Sequence, residues 1–188
     1  MRTQLVSALK RGGVAVIPTD TVYGIIARAR DRRAVARLYA LRRKTPEKPF
    51  IILVDSVARL REFGIRLTAE RRTFLGRVWP GKVSVILPCK SKKFSYLHLG
   101  TKSLAFRLPK SRQLQTLLKQ TGPLVAPSAN PEGKKPAETI QEAKRYFWDK
   151  VDIYMSAPKK SKAEPSTLVS LTGTRPLIIR RGGGTVKI

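Results

Sequence analysis

The sequence predicts an α/β fold: a twisted mixed sheet flanked by helices, in a single domain over residues 1–188. Short apolar runs typical of strands alternate with segments in which apolar residues recur every three or four positions, the helical spacing. Late in the chain, several strands follow one another without a helix between them, so the sheet should be mixed. The chain has 188 residues and no long linker, which fits one compact domain.

The first half of the chain predicts a helix followed by two strand–helix pairs. The first helix stops at Gly12 and Gly13, as expected for residues that accept a left-handed backbone. The predicted strands are residues 14–17 and 50–54, and the segment PTDTVYG, residues 18–24, is the loop after the first strand. The expected helix N-caps are Thr3, Asp31, Ser56 and Thr68.

The second half predicts more strands than helices. Trp79, Pro80 and Gly81 form a turn, and a lysine-rich connection separates the next two strands. Ser111 caps a helix that Gly122 ends, and a further helix covers residues 138–147. The predicted strands are residues 83–87, 104–108, 124–126, 151–155, 167–171 and 176–180.

Charge and composition limit the class of protein. The 39 Lys and Arg residues against 12 Asp and Glu give a net charge of +27, which points to an anionic partner. The sequence has no apolar run of about 20 residues and no signal-peptide core, so we expect a cytoplasmic protein with no membrane partner. Cys89 and His98 are the single residues of their types, which excludes an internal disulfide and a Cys/His zinc site.

Two patterns are candidates for a ligand site. Polar residues follow strand-like runs at Thr19, Thr21, Ser128 and Asn130, and Arg107 lies inside a strand. Ligands of open α/β sheets bind beyond strand ends, although the same residue types are common in ordinary turns. The basic stretch of residues 42–48 suits phosphate binding or, equally, a solvated helix end.

Seven motifs in order resemble those of the YrdC-like threonylcarbamoyl-AMP synthases, in their short, single-domain form. The resemblance extends from about Gly12 to Gly182. The motifs are PTDTVYG, the basic link ending in KPFI, WPG, LAFRLP, GPLVAPSAN, PSTLV and LIIRRG.

This resemblance implies a nucleotidyltransferase with a basic concave cavity. L-threonine, bicarbonate and ATP would give threonylcarbamoyl-AMP and pyrophosphate, for the N6-threonylcarbamoyladenosine at position 37 of tRNA. Mg²⁺ would arrive with ATP and take no ligand from the protein. By motif position, the threonine side comprises Thr21, Leu53, Arg107, Ala126 and Ser166. The ATP side comprises Lys44, Lys48, Ser103, Ser128, Asn130 and Arg180. Arg42, Lys44 and Arg107 would act electrostatically, with no residue assigned as acid or base.

The sequence departs from the family pattern in the basic motif. It reads Arg42, Arg43, Lys44, whereas family members usually have Lys-x-Arg, and the two residue types bind phosphate differently. For Asp20, three roles remain: contact with a substrate ammonium, contact with a magnesium-bound water, or support of the turn, which we favour.

Two other functions fit the same sequence. One is a double-stranded RNA or tRNA-binding module on the same fold without turnover, and the other is a carbamoyl-transferring relative with a different acceptor. A synthase would also have tRNA and a downstream threonylcarbamoyl-transferase complex as further partners.

Four remaining features are expected to be structural. Trp79 and Trp148 should pack in the core or at its rim and not act as base-stacking platforms. Cys89 should be buried, His98 should be solvated, and residues 182–184 should form a flexible terminal turn.

Overall fold

The computed structural model describes residues 2–42, 49–157 and 164–187. The α-helices are α1 (Arg2–Lys10), α2 (Arg32–Leu41), α3 (Ala69–Val78), α4 (Ser95–His98), α5 (Arg112–Thr121) and α6 (Ile140–Phe147). The strands are β1 (Ala15–Pro18), β2 (Tyr23–Arg28), β3 (Ile51–Leu53), β4 (Val83–Pro88), β5 (Ser103–Arg107), β6 (Leu124–Val125), β7 (Ile153–Tyr154), β8 (Thr167–Ser170) and β9 (Leu177–Arg180). Short 3₁₀ helices cover Val57–Phe63, Lys92–Phe94 and Trp148–Lys150.

Side-chain caps begin several of these helices where the sequence predicts them. Asp31 accepts a hydrogen bond from the Ala34 N–H at the start of α2. Thr68 and Ser111 do the same for the third residues of α3 and α5. Each cap satisfies one of the N–H groups that a helix start leaves unpaired. Ser56 differs, because the element after it is a 3₁₀ helix and its side chain makes no cap.

In the described residues, nine strands form one mixed sheet, as predicted, in the order β7-β1-β2-β6-β3-β5-β4-β8-β9. The pairs β1–β7, β3–β5 and β4–β8 are parallel, and the other neighbours are antiparallel. Strand β2 is the strand that the sequence does not predict. It forms a hairpin with β1, and the loop between them is residues 19–22, the middle of PTDTVYG.

Helices cover the two faces of the sheet unequally. The larger core cluster joins the sheet to α2, α3 and α6 through residues such as Leu38, Phe74 and Phe147. A smaller cluster on the opposite face joins α1 and α5 to β1, β2, β3 and β6, with Leu9 and Leu118 at its centre. Helices α1 and α5 cover only part of this second face, and the rest of it carries the site described below.

Three of the remaining expectations can be checked here. Cys89 is buried, as expected, and donates through its thiol to the Phe63 carbonyl. The prediction for His98 is wrong: the side chain is buried, and its Nδ1 accepts a hydrogen bond from the Gly100 N–H. Within the described parts of the chain, no helix has both the length and the apolar character needed to cross a bilayer.

Candidate functional site

A cavity of about 590 Å³ lies on the sheet face that α1 and α5 leave open. Its floor follows the alternation of a strand, in which every second side chain points to the same face. In β5, Ser103, Ala105 and Arg107 line the cavity, whereas Leu104 and Phe106 between them belong to the larger core cluster. Ile51 of β3, Ile86 of β4 and Leu168 of β8 continue the floor.

The β1–β2 loop forms one wall of the cavity. The Thr19 hydroxyl lies 3.0 Å from the Thr21 hydroxyl, accepts a hydrogen bond from the Thr21 N–H and donates to the Val22 carbonyl at 2.6 Å. These bonds fix a tight turn that places Thr21 and Val22 against the cavity. The loop is therefore held by its own side chains in the way short polar loops usually are.

Arg107 is the charged centre of the cavity floor. Its guanidinium Nη1 donates to Asp20 Oδ1 at 2.7 Å, and the two side chains are only 5% and 13% exposed. The other oxygen of Asp20, Oδ2, is buried without a hydrogen-bond partner among the described residues. The β1–β2 loop thus supplies the counter-ion for an arginine that faces the cavity.

The opposite wall is built by the segment before β8 and by the end of β9. The Ser166 hydroxyl lies 2.8 Å from the Ser84 hydroxyl, and both side chains are buried. Arg180 Nη2 donates to the Ser166 carbonyl at 2.9 Å, and burial lowers the pKa of the guanidinium. Ser166 and Arg180 both line the cavity.

Arg42 joins the end of α2 to the loop after β6. Its Nε donates to the Asn130 carbonyl at 2.8 Å, and its guanidinium carbon lies 5.6 Å from the centre of the Phe50 ring. Burial lowers the pKa of Arg42, with the nearby Glu132 acting in the opposite direction. Arg42 lines the cavity and at the same time fixes the loop that carries Ser128.

Eight of the described residues predicted for the site share this one cavity. They are Thr21, Arg42, Ser103, Arg107, Ala126, Ser128, Ser166 and Arg180. Lys44 and Lys48 lie outside the described residues. The described lining contains three charged side chains, all of them arginines, and it contains no carboxylate.

Two predicted residues lie elsewhere. Leu53 is fully buried and packs in the smaller core cluster with α5, so this arrangement gives no support to its direct contact with threonine. Asn130 is also buried, and its amide nitrogen donates to the carbonyls of Pro131 and Lys134. The Asn130 side chain therefore organises its own loop instead of facing the cavity.

The sequence did not predict Ser84 as part of the site or Asp20 as the partner of Arg107. Ser84 lies within an apolar strand, and only its polar character among hydrophobic neighbours could have identified it. Asp20 was visible as the sole carboxylate of its loop, but its pairing with a residue 87 positions away is a property of the fold.

The sequence is similar to a family model and to several named proteins. The model of the Sua5_yciO_yrdC family, described as "Telomere recombination", matches residues 7–182. A protein of Mycobacterium tuberculosis (strain ATCC 25618 / H37Rv), named putative threonylcarbamoyl-AMP synthase, is 33% identical over 94% of this chain and 82% of its own length. The threonylcarbamoyl-AMP synthase of Bacillus subtilis (strain 168) is 31% identical over 97% of this chain and 53% of its own length.

Solved structures share the fold. Pyrococcus abyssi Sua5 complexed with L-threonine superimposes with a TM-score of 0.89 at 27% identity, over 97% of this chain and 54% of that one. Escherichia coli YciO gives a TM-score of 0.87 at 24% identity, over 99% of this chain and 91% of that one. The chain thus spans about half the length of the Bacillus and Pyrococcus proteins and most of YciO.

Proposed function

This chain belongs to the Sua5/YciO/YrdC family, and from that premise we propose that it is a threonylcarbamoyl-AMP synthase. One observation carries the proposal. Four of the five positions that the motif resemblance assigns to threonine, Thr21, Arg107, Ala126 and Ser166, line the same cavity as three of the positions assigned to ATP, Ser103, Ser128 and Arg180. A cavity that holds both substrates side by side is what a reaction between them requires.

The chemistry joins two anions. The threonine amine and bicarbonate form a carbamate with loss of water, and a carbamate oxygen then attacks the α-phosphorus of ATP. The bond between that phosphorus and the α,β-bridging oxygen breaks, and pyrophosphate leaves with the electron pair. Repulsion between the carbamate and the phosphates is the main obstacle, and fixed cations in a partly dehydrated cavity reduce it.

The side chains of the cavity have the properties for this task. The Arg107 guanidinium suits the carboxylate of threonine, because a planar fork of N–H donors binds a carboxylate in two places. Arg180 and the hydroxyls of Ser103 and Ser128 suit the phosphates of ATP. Positioning and charge then provide the catalysis without a nucleophilic side chain.

We propose that Mg²⁺ enters with ATP, held by its triphosphate. The described residues contain no group of three or more His, Cys, Asp or Glu side chains that could hold a metal ion. Arginines and hydroxyls instead bind phosphate oxygens directly, so the residues present fit a metal carried by the substrate.

The further role follows from the resemblance. We propose that the product serves the modification of adenosine 37 in tRNA, with a downstream threonylcarbamoyl-transferase as its consumer, and that the protein acts in the cytoplasm. The RNA-binding module without turnover is the less favoured alternative, since the relatives named above are synthases by name.

The test is release of pyrophosphate from ATP. We expect release that requires threonine, bicarbonate and Mg²⁺ together and is lost in the Lys44→Ala plus Arg107→Ala double variant. Arg66→Ala, an exposed arginine outside the cavity, is the control and should leave the rate unchanged. Pyrophosphate no higher than in the double variant would exclude the synthase. Release that continues without threonine would indicate a relative with a different acceptor.

A further inference from the structure

Trp148 is exposed to an extent that is unusual for tryptophan. It is one of two tryptophans in the chain. Trp79 is 7% exposed, as expected for core packing, and its indole N–H donates to the Val83 carbonyl at 2.7 Å. Trp148 is 76% exposed, so the prediction that it packs in the core or at its rim is wrong. An indole left in water gives up the apolar burial that tryptophan usually provides.

The backbone at Trp148 is held in a conformation that favours glycine. Its φ is 46° and its ψ is −129°. Strain of this kind at a bulky residue persists where the surroundings enforce it, and it is found more often at functional positions. Here the Trp148 N–H donates to the Lys144 carbonyl at the end of α6, and the Trp148 carbonyl accepts from the Tyr154 hydroxyl at 2.7 Å.

The Tyr154 contact is a stable one. Burial, followed by the charge of Asp149, raises the pKa of Tyr154 to about 12. The hydroxyl therefore remains a proton donor over the physiological range. The turn is fixed from α6 on one side and from β7 on the other, and the indole stays in solvent.

Exposed cations flank Trp148 in the chain. Lys144, Arg145 and Lys150 are all exposed, and no described acidic residue pairs with their side chains. Lys144 Nζ lies 5.8 Å from the centre of the Tyr154 ring. Asp149 is the one carboxylate within residues 144–150, so the stretch has a net charge of +2. We call Lys144, Arg145, Trp148, Lys150 and Tyr154 the Trp148 surface.

The carboxylate of nearby Asp152 is already engaged. It accepts hydrogen bonds from the Val14 N–H and from Arg37, each at 2.7 Å. It therefore does not neutralise the lysines beside Trp148. The Trp148 surface presents one flat aromatic side chain and three cations to solvent.

We propose that the Trp148 surface binds single-stranded nucleic acid, with one unpaired base stacked on the indole and the neighbouring phosphates on Lys144, Arg145 and Lys150. Aromatic stacking together with a basic surface is the combination that unpaired strands require, since every base has a flat face and every linkage a charge. A duplex keeps its bases stacked internally and would use only the cations.

This surface is separate from the cavity. It lies at the β7 end of the sheet, whereas the cavity floor lies on β3, β5, β4 and β8. The proposal therefore does not depend on the proposed synthase activity. Failure of nucleic-acid binding would not argue against the synthase, and failure of the synthase assay would not argue against this surface.

The intrinsic fluorescence of the protein gives a direct test. Since Trp79 is buried, a short oligouridylate at low salt should quench mainly Trp148. We expect Trp148→Ala, which lacks this reporter and is measured by calorimetry, to weaken oligouridylate binding about tenfold, within the range for loss of one stacked base. Binding of linear polyphosphate, measured by calorimetry, should be unchanged in that variant because polyphosphate has no bases.

Three further variants complete the design. Trp148→Phe keeps an aromatic face and should retain most of the affinity. Trp148→Gly suits the positive φ and should fold at least as stably as the parent while binding as weakly as Trp148→Ala. Leu177→Ala, at another exposed apolar position, should change the affinity for neither oligouridylate nor polyphosphate.

Several results would overturn the proposal. One is equal affinity of Trp148→Ala and parent for oligouridylate. Another is an equal loss for oligouridylate and polyphosphate, which would reduce the surface to general charge. Binding of a duplex as tightly as of the single strand, with no effect of Trp148→Ala, would do the same. Trp148-dependent binding of an acidic peptide, but not of oligouridylate, would assign the surface to a protein partner.

Discussion

At the scale of the residue, the Asp20–Arg107 pair is incomplete on both sides. Asp20 uses one carboxylate oxygen, and its Oδ2 is buried without a partner among the described residues. Among the described residues, Asp20 is also the only hydrogen-bond partner of the Arg107 guanidinium. Most N–H donors of Arg107 are therefore free. The free Arg107 donors are the part of this pair that a ligand anion can complete. Here the free edge of Arg107 faces the cavity, where a ligand carboxylate would complete it.

We therefore predict that Asp20 is a positioning residue for Arg107, and Asp20→Asn tests this. Loss of the charge frees Arg107 to rotate away, so we expect the KM for threonine to rise about tenfold, equivalent to about 1.4 kcal/mol. The KM for ATP should change little. Steady-state pyrophosphate release at varied threonine, and then at varied ATP, separates the two effects.

The matched control is Asp55→Asn. Asp55 pairs with Arg59 at 2.8 Å in the same type of contact, but neither residue lines the cavity. It should leave both KM values unchanged. A purely structural role for Asp20 would instead lower the amount of active enzyme, reducing kcat with both KM values intact.

The sequence predicted the members of the site better than their contacts. Arg107, Ser128 and Arg180 could be identified because they occur in motifs of neighbouring residues. The contact between Arg42 and Asn130 joins residues 88 positions apart, and no local pattern encodes it. Such contacts arise only when α2 packs beside the loop after β6.

At the scale of the element, most helices and strands follow from apolar spacing and caps. Strand β2 was missed because PTDTVYG has the composition of a loop and the apolar pair Ile25 and Ile26 after it is short. In the structure, Tyr23 and Gly24 already belong to β2 and pair with Pro18 and Ile17. Residues 19–22 of the motif are thus the hairpin loop, and the residues at its two ends belong to β1 and β2.

The glycine turn after β9 is a second element that differs from its prediction. The Gly182 N–H donates to the Thr167 hydroxyl at 3.0 Å, and that hydroxyl donates to the carbonyls of Gly182 and Gly184. A Cβ at Gly182 would overlap the Pro165 carbonyl oxygen and lie 2.9 Å from the Ser166 carbonyl carbon. The turn is therefore packed against the cavity wall and fastened to β8.

Gly182→Ala should displace Pro165 and Ser166 from the cavity wall. We expect pyrophosphate release to fall at least tenfold and the melting temperature to drop by several degrees, because backbone atoms must move. Gly173→Ala is the control, since a Cβ there meets nothing within 4 Å. Equal behaviour of the two variants in both assays would show that the close approach at Gly182 has no consequence.

Asp152 connects the start of β7 to β1 and α2, and its contribution to the free energy of unfolding should depend on pH. Burial raises its pKa, but hydrogen bonds from the Val14 N–H and from Arg37 outweigh that effect and leave the pKa lowered from 3.8. A carboxylate whose pKa is lower in the folded state than in the unfolded state stabilises the fold at pH values above its unfolded-state pKa. That stabilisation is lost as the pH falls through the folded-state pKa.

Asp152→Asn should therefore lower the free energy of unfolding by about 1 kcal/mol at pH 7, a small figure because the Arg37 pair is partly exposed. The difference from the parent should shrink as the pH falls below about 4 and through the lowered folded-state pKa. Urea unfolding at several pH values measures it. Asp149→Asn makes the same charge change at an exposed position and should show no such trend; a pH-independent difference for Asp152→Asn would refute the assignment.

At the scale of the whole molecule, the cavity explains little of the +27 charge. Its described lining holds three arginines, whereas the chain has 39 Lys and Arg residues. Most cations therefore lie outside the site, and like charges at this density repel one another in the compact state more than in the unfolded chain. The charge thus opposes folding while it favours anionic partners such as the strand proposed for the Trp148 surface.

Screening should relieve this repulsion, so stability should rise with salt. Between 20 and 200 mM NaCl the Debye length falls from about 20 Å to about 7 Å, close to the spacing of neighbouring surface charges. We expect the melting temperature to rise by about 3–6 °C, equivalent to roughly 1–2 kcal/mol for a chain of this size.

Differential scanning calorimetry measures this rise and also tests the single-domain prediction, which requires one cooperative transition. Sucrose at equal osmolality controls for general exclusion effects. A melting temperature that stays constant or falls with NaCl would mean that ion pairs, such as Arg59 with Asp55 and Glu62, contribute more than the excess positive charge costs.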